Sequence, residues 1–320
     1  MSDRKLPMSM TLVFAICAGA LVSHAQTVLY VDDDAPLSGD CGDWCTAYKY
    51  LQDALSAAQA GDEIRVAEGI YKPDEDEAHP DGTGDRSATF QLISGVALHG
   101  GYRGCPGGVC GAGDDPNERD IETHETILSG DLSGDDAPNE SDCCHHHSGS
   151  GCDDAGCEAL VCGLDPECCS VRWDAHCVSL AHSNCAGVCG GFGENSCHVA
   201  TGSGTDATAV LDGFTVAAGN ADPACTERCG GGMYNYNGSP TVANCTFDGN
   251  IAQFEHGTGW GGGMYNYYAS NPIVTNCTFS GNLANAGGGM YNGATSNPTV
   301  TNCTFTGNEG TNGGGMKSSY

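Results

Sequence analysis

Basic residues are scarce: 11 lysines and arginines stand against 41 aspartates and glutamates in 320 residues, a formal charge of −30. Neutralising phosphates takes a cationic face, so nucleic acid is excluded as a partner, and docking onto anionic lipid is excluded for the same reason. Aromatic residues are few as well, at 7% of the chain. Apolar runs of membrane length are missing. The longest, Met8 to Val22, falls short of the roughly 20 residues a bilayer span needs. With Asp3, Arg4 and Lys5 before it and the small residues of Ser23-His24-Ala25 after it, this run reads as a signal peptide cleaved after Ala25. No later segment is expected to span a membrane. At 39%, hydrophobic residues suffice for a core, which argues against wholesale disorder.

What the sequence has in abundance is glycine, 49 residues, and cysteine, 21 residues. Cleavage would remove Cys17 and leave an even 20 in an oxidising compartment, where disulfides are the default. Eleven of them crowd into residues 141–197: Cys143, Cys144, Cys152, Cys157, Cys162, Cys168, Cys169, Cys177, Cys185, Cys189 and Cys197. That density staples a unit too small for its own core. Helical spacing over Cys157 to Cys169 and Ser170 to Asn184 predicts a disulfide-bonded helical hairpin. Three further pairs bracket turns and are expected to close short loops: Cys41 with Cys45, Cys105 with Cys110, and Cys225 with Cys229. His145-His146-His147 beside Cys143 and Cys144 lacks zinc-ligand spacing, and oxidised cysteines do not ligate metals, so no metal centre is assigned there.

The C-terminal third repeats. Gly230-Gly231-Gly232-Met233-Tyr234-Asn235 recurs from Gly261 and from Gly287 and begins again at Gly313, and between the copies run the blocks Pro240 to Asn250, Pro272 to Asn282 and Pro298 to Asn308. Short strand-like runs at a period in the middle twenties, punctuated by Gly and Asn, are the sequence form of a parallel β-solenoid. Alternation predicts inward stacks of Val242, Val274 and Val300, of Phe247, Phe279 and Phe305, and of Met233, Met264, Met290 and Met316. It breaks at Asn244, Asn276 and Asn302. Asn tolerates the left-handed backbone of a sharp bend, so these three are expected to form an amide ladder at one corner, with the glycine triples at another. Cys245, Cys277 and Cys303 fall on inward positions and are expected as buried thiols. Degenerate coils are read at Glu63 to Tyr71, Ala88 to Tyr102, Glu125 to Leu132 and Ala209 to Ala217. Thr46 to Ala60 reads as a helix with Tyr48, Leu51, Leu55 and Ala58 on one face, placed to cap the open first coil.

Leu29 to Ala35, the helix after it, Gly61 to Tyr71 and Leu211 to Val216 resemble the opening of secreted bacterial right-handed β-helix proteins of pectin-lyase-like fold. The repeats are similar to those of polymorphic outer-membrane proteins: Phe247-Asp-Gly-Asn250, Phe279-Ser-Gly-Asn282 and Phe305-Thr-Gly-Asn308 match the Phe-x-x-Asn half of that signature, while Gly-Gly-Gly-Met departs from its Gly-Gly-Ala-aliphatic half. The cysteine-rich stretch resembles a module of secreted planctomycete-type proteins. These resemblances imply an all-β fold, a right-handed parallel β-helix with an N-terminal capping helix and a small disulfide-rich helical insert. The expected layout is a signal peptide over 1–25, cap and first coils over 26–140, the insert over 141–197 and the repeat coils over 198–320.

Activity is less legible, since this fold serves lyases, hydrolases and adhesins alike. Lyase chemistry needs a basic proton acceptor, yet from Gly230 onward the only charged residues are Asp248, Glu255, Glu309 and Lys317. Strong negative charge also repels polyanionic substrates. The expectation is therefore a secreted or bacterial cell-surface scaffold for adhesion, recognition or envelope structure, with no catalytic residue or cofactor assigned; the alternative is a polysaccharide lyase or glycoside hydrolase. Carbohydrate or another surface protein is the expected partner; a stripe of Tyr234, Tyr236, Tyr265, Tyr267, Tyr268 and Tyr291 near one corner of successive coils reads first as ordinary solvent-facing strand aromatics, with stacking against sugar as the alternative. The loops Asp32-Asp33-Asp34 with Asp40 and Asp43, and Asp131 with Asp135 and Asp136, read as solvated acidic surface, with structural Ca²⁺ as the alternative.

Overall fold

The computed structural model describes residues 26–35, 43–105, 115–134, 143, 150–152, 154–171, 173, 177, 180–181, 184–185, 194–252 and 259–319. The proposed signal peptide lies outside these residues, as do Cys41, Cys110, Cys144, Cys189, the histidine triplet, Asp40, Asp135 and Asp136.

The described chain winds into a solenoid whose strands pair only in parallel. One face stacks seven strands: Val28–Val31, Glu63–Ala67, Ala97–Tyr102, Val210–Asp212, Thr241–Ala243, Ile273–Thr275 and Thr299–Thr301. A second face stacks Gly69–Tyr71, Thr126–Ser129, Thr215–Ala217, Thr246–Asp248, Thr278–Ser280 and Thr304–Thr306. The third runs Phe90–Gln91, Ala200–Thr201, Met233–Tyr236, Met264–Tyr267, Met290–Gly293 and Met316–Ser319, and a short fourth strip joins Ile251–Ala252, Leu283–Ala286 and Glu309–Asn312. Register follows the repeat: Val242 pairs with Val274, Phe247 with Phe279, Met233 with Met264 and Met264 with Met290.

Inward residues form continuous columns. Phe247 and Phe279 are fully buried, and the rings of Phe247, Phe279 and Phe305 stack at 4.8 and 4.7 Å. Met233, Met264 and Met290 are likewise fully buried, whereas Met316 on the last coil is exposed. The thiols of Cys245, Cys277 and Cys303 are free, the first two buried. Burial pushes the Cys303 thiol up, and the neighbouring Cys245 thiol together with burial pushes Cys277 up, so both are protonated at neutral pH.

The bends are as the residue chemistry requires. Asn244, Asn276 and Asn302 sit at φ of 50°, 55° and 52°. The amide of Asn276 donates to Asn244 at 3.1 Å and that of Asn302 to Asn276 at 3.4 Å. At the glycine corner the first residue of a triple, Gly261, takes φ +63°, while at Gly263 a Cβ would lie 2.6 Å from the Gly289 carbonyl oxygen of the next coil. The triple therefore serves two needs, a left-handed turn and then close backbone approach.

Two expectations are corrected. The capping helix is shorter than the sequence pattern, Leu51–Ala57, preceded by a 3₁₀ turn Trp44–Thr46 whose N-cap is Asp43. Between them Ala47 is extended and Tyr48 bridges to Val31, with its amide donating to the Tyr30 carbonyl and its carbonyl accepting from Asp32. Strand pairing thus claims the residues that helical spacing assigned to the first turn. Second, Cys225 bonds Cys197 rather than Cys229: Cys197 and Cys225 have Cα atoms 5.8 Å apart on loops of adjacent coils. Cys229 is a buried free thiol, held in parallel bridge to Trp260.

The cysteine-rich insert leaves the solenoid between the second and third faces of one coil. Its helix, Ala155–Leu164, is capped by Asp154, whose carboxylate accepts from the Gly156 and Cys157 amides. Disulfides join Cys143 to Cys152, Cys157 to Cys185, Cys162 to Cys169 and Cys168 to Cys177. They enclose Trp173, fully buried, whose Nε1 donates to the Cys143 carbonyl. Cys45 and Cys105 are also disulfide-bonded. Among the described residues no helix is long and apolar enough to cross a membrane.

Candidate functional site: an aromatic surface on the third face

Along the third face Met233 and Asn235 point inward, so Tyr234 and Tyr236 must point outward. Each coil repeats this choice, and parallel register then piles like residues on like. His198, Tyr234, Tyr265 and Tyr291 form one column, with ring centroids 4.9, 5.6 and 5.6 Å apart. Trp260 lies against Tyr291 at 5.5 Å and Tyr265 at 6.3 Å. A second column of Tyr236 and Tyr267 connects to the first through Tyr265 and Tyr267 at 5.5 Å.

The edge of this surface is the part open to a ligand. Tyr268 stacks on Tyr236 at 5.3 Å and 6°, and the two residues are 57% and 42% exposed. Tyr268 and Ala269 hold φ of 59° and 60°, a left-handed backbone that costs L-residues about 1–2 kcal/mol each. Inside the stack the rings cover one another: Tyr265, expected at the surface, is only 4% exposed. Burial raises the Tyr234 and Tyr265 phenols above their ordinary value, and it pushes the Cys229 thiol beside Tyr265 up to about 12. His198 donates from Nδ1 to the Gly230 carbonyl at 3.1 Å, which fixes Nδ1 as the protonated nitrogen, and burial lowers its pKa to about 4. At neutral pH His198, Tyr234 and Tyr265 are uncharged, while Glu227 lies near Tyr234 and Lys317 stands in register with Tyr291.

Behind it, inward amides tie the coils together. Asn235 donates to Asn266 at 2.9 Å and Asn266 to Asn292 at 2.8 Å; Asn250, Asn282 and Asn308 repeat the arrangement at the next corner. These buried rows were not read from the sequence, although the alternation Met-Tyr-Asn-Tyr places Asn on the side of Met. Trp260 occupies the position before a glycine triple, in register with Cys229 and Ala286. Nothing local in the sequence points to His198.

A polar cluster on the outside of the first face was also missed. Asp212 accepts from Asn244 at 2.7 Å and pairs with Arg119 at 3.2 Å and His99 at 3.3 Å. Burial alone would raise the Asp212 pKa, but His99, Asn244 and the Arg119 charge outweigh it and hold it at about 2. Arg119 also donates to the Gly100 carbonyl and covers the Tyr102 ring, as does Arg65. Held by Asn244, Arg119 and His99 together, Asp212 is a hub that ties coils together.

The acidic loop Asp32-Asp33-Asp34 brings three carboxylates within 4.8 Å of one another. Asp32 accepts from the Asp34 and Cys105 amides and Asp33 from the Ile70 amide, while Lys49 donates to the Asp33 carbonyl. Burial raises the pKa of both Asp32 and Asp33. Asp131 caps Gly134 in the same manner. The remaining close groups of possible metal ligands, Cys143, Cys152 and Cys157 and then Glu158, Cys162 and Cys169, have their sulfurs committed to disulfides.

Comparison with known proteins adds one match. Residues 192–319 fit the family model described as right handed beta helix region. No curated protein and no solved structure matches the chain. Taken with sheets that are parallel throughout, the match makes the repeat region a right-handed parallel β-helix.

Proposed function

We propose that this chain is a recognition scaffold working outside the cytoplasm, secreted or held at a bacterial cell surface, and that its third face contacts carbohydrate. The single observation that carries the reading is the exposed, parallel Tyr236–Tyr268 pair at the edge of a continuous aromatic surface. Pyranose rings present an apolar C–H face to such rings. The disulfides support an oxidising compartment. On this reading residues 1–25 direct export, the capping helix closes the first coil, and residues 141–197 form a stapled insert beside the recognition face.

The alternative is a polysaccharide lyase or hydrolase on the same fold. A glycan array with parallel assays for reducing ends and unsaturated products, each with and without Ca²⁺, separates the two. Binding without turnover supports the scaffold; turnover of any bound glycan overturns it. Capture of a surface protein with no glycan bound would move the contact from sugar to protein.

A further inference from the structure

Rings that stack along a solenoid cover one another's faces, so a sugar chain lying lengthwise over the columns would meet ring edges. His198, Tyr234, Tyr265 and Tyr291 succeed one another coil by coil at interplanar angles of 25°, 22° and 22°. Tyr236 and Tyr268 are parallel to within 6° at 5.3 Å, too close for rings lying edge to edge, so here too face covers face. A free face exists only where a column stops.

The second column stops at Tyr268. Register pairs Asn266 with Asn292, and the Ala269 amide donates to the Ala294 carbonyl, so the next coil sets Gly293 and Ala294 against Tyr267 and Tyr268. Where an aromatic rung would continue the stack on Tyr268, a single methyl stands instead. Among the described residues no ring other than Tyr236 stacks on Tyr268, and with that face covered its 57% exposure falls on the opposite face and the ring edges. Tyr236 is the less exposed of the two and adjoins the coil of Ser203, whose hydroxyl accepts from the Tyr236 amide. Backbone strain marks the same residue. By register Asn237, Tyr268 and Ala294 occupy one bend on successive coils, at φ of 49°, 59° and 47°. The fold demands this left-handed bend, and Asn meets the demand more cheaply than Tyr. A bulky ring on that backbone, packed on one face only, serves a contact rather than the turn.

We infer, resting on the carbohydrate reading of the third face, that Tyr268 is a platform for one ring at a chain end. The terminal pyranose of a β-glucoside lies on its open face, above Ala294, and the remaining sugars project into solvent. A pyranose whose hydroxyls are all equatorial shows axial C–H bonds on both faces and so matches a bare aromatic face, which an axial hydroxyl would interrupt. A glycan running lengthwise over the columns would gain contact with each further sugar. A chain end held on Tyr268 gains none, so affinity is set by the terminal ring and not by chain length.

Ligand-observed NMR titration of the full chain with methyl β-D-glucopyranoside, cellobiose and cellohexaose tests this. All three should bind, with dissociation constants within about threefold of one another. Tyr268→Asn should weaken each by about tenfold or more, while Tyr268→Phe, which keeps the face, should bind as the wild type does. Asn already occupies the same bend at Asn237, so Tyr268→Asn should melt at or above the wild-type Tm, which separates lost contact from lost fold. No binding of any of the three, a hexamer bound about tenfold tighter than the dimer, undiminished binding in Tyr268→Asn, or lost binding in Tyr268→Phe would each overturn the inference. Such a result leaves the broader carbohydrate reading to the glycan array, where a different bound sugar would still support it.

Discussion

Protonation of His198 gives the sharpest quantitative consequence of the structure. The imidazole lies over Tyr234 with Nδ1 committed to the Gly230 carbonyl, and its pKa falls from 6.5 to about 4 on folding. A base that is harder to protonate when folded leaves stability intact above the unfolded pKa. Stability is then lost as pH drops, because the unfolded chain takes up the proton first. The window runs from about 6.5 down to about 4. Two and a half decades at about 1.36 kcal/mol each set an upper figure of about 3 kcal/mol; the partial exposure of the residue reduces this to about 2 kcal/mol. Asp32 and Asp33, raised by burial, act in the opposite sense over part of the same range, so the comparison must be differential. Urea unfolding of the wild type and of His198→Gln, measured from pH 7.5 to 4, should give curves that converge toward acid by about 2 kcal/mol. Parallel curves would refute the reasoning.

Other outcomes follow from the packing. Phe279→Ala removes a fully buried ring held between two others and should cost about 3–5 kcal/mol by chemical denaturation. At Asn276, φ 55° predicts the order Asn, then Gly, then Ala in thermal stability, with Ala about 1–2 kcal/mol below Gly because only Ala resists the left-handed backbone. Differential alkylation should label Cys229, Cys245 and Cys277 only after unfolding without reductant, should reach the half-buried Cys303 in the folded protein, and should leave Cys225 unlabelled until reduction. Removing the Cys197–Cys225 bond, which closes a separation of 28 residues, should lower stability by about 3–4 kcal/mol. If the Asp32 to Asp34 carboxylates act as loop caps, Ca²⁺ and EDTA should give the same Tm; a rise in Ca²⁺ would instead establish a cation site.

The repeat region was legible because a solenoid writes its geometry once per coil. Asn244, Asn276 and Asn302 announce a left-handed bend, and Val, Phe and Met recur at fixed phase, so columns and register could be read directly. Features made by unlike coils were not legible. Asp212 and Arg119 are 93 residues apart, and their contact depends on how an irregular loop folds over the first face. Spacing paired Cys225 with Cys229 across a short turn, and only the meeting of loops on adjacent coils selects Cys197. Helical periodicity over Thr46 to Ala60 failed at its start because Tyr48 is claimed by pairing with Val31, a tertiary contact that propensity does not register. For the aromatic surface, the sequence supplied the tyrosines but not Trp260 or His198, nor the burial of Tyr265 by its neighbours.

The central claim is that the exposed edge of the third face is where ligand is held. Its most direct measurement is the affinity of the best array glycan for wild type and for Tyr236→Ala with Tyr268→Ala. Stacking on two rings, at roughly 0.5–1.5 kcal/mol each, predicts a loss of about tenfold or more with the fold unchanged. Undiminished affinity in the double variant would contradict the account.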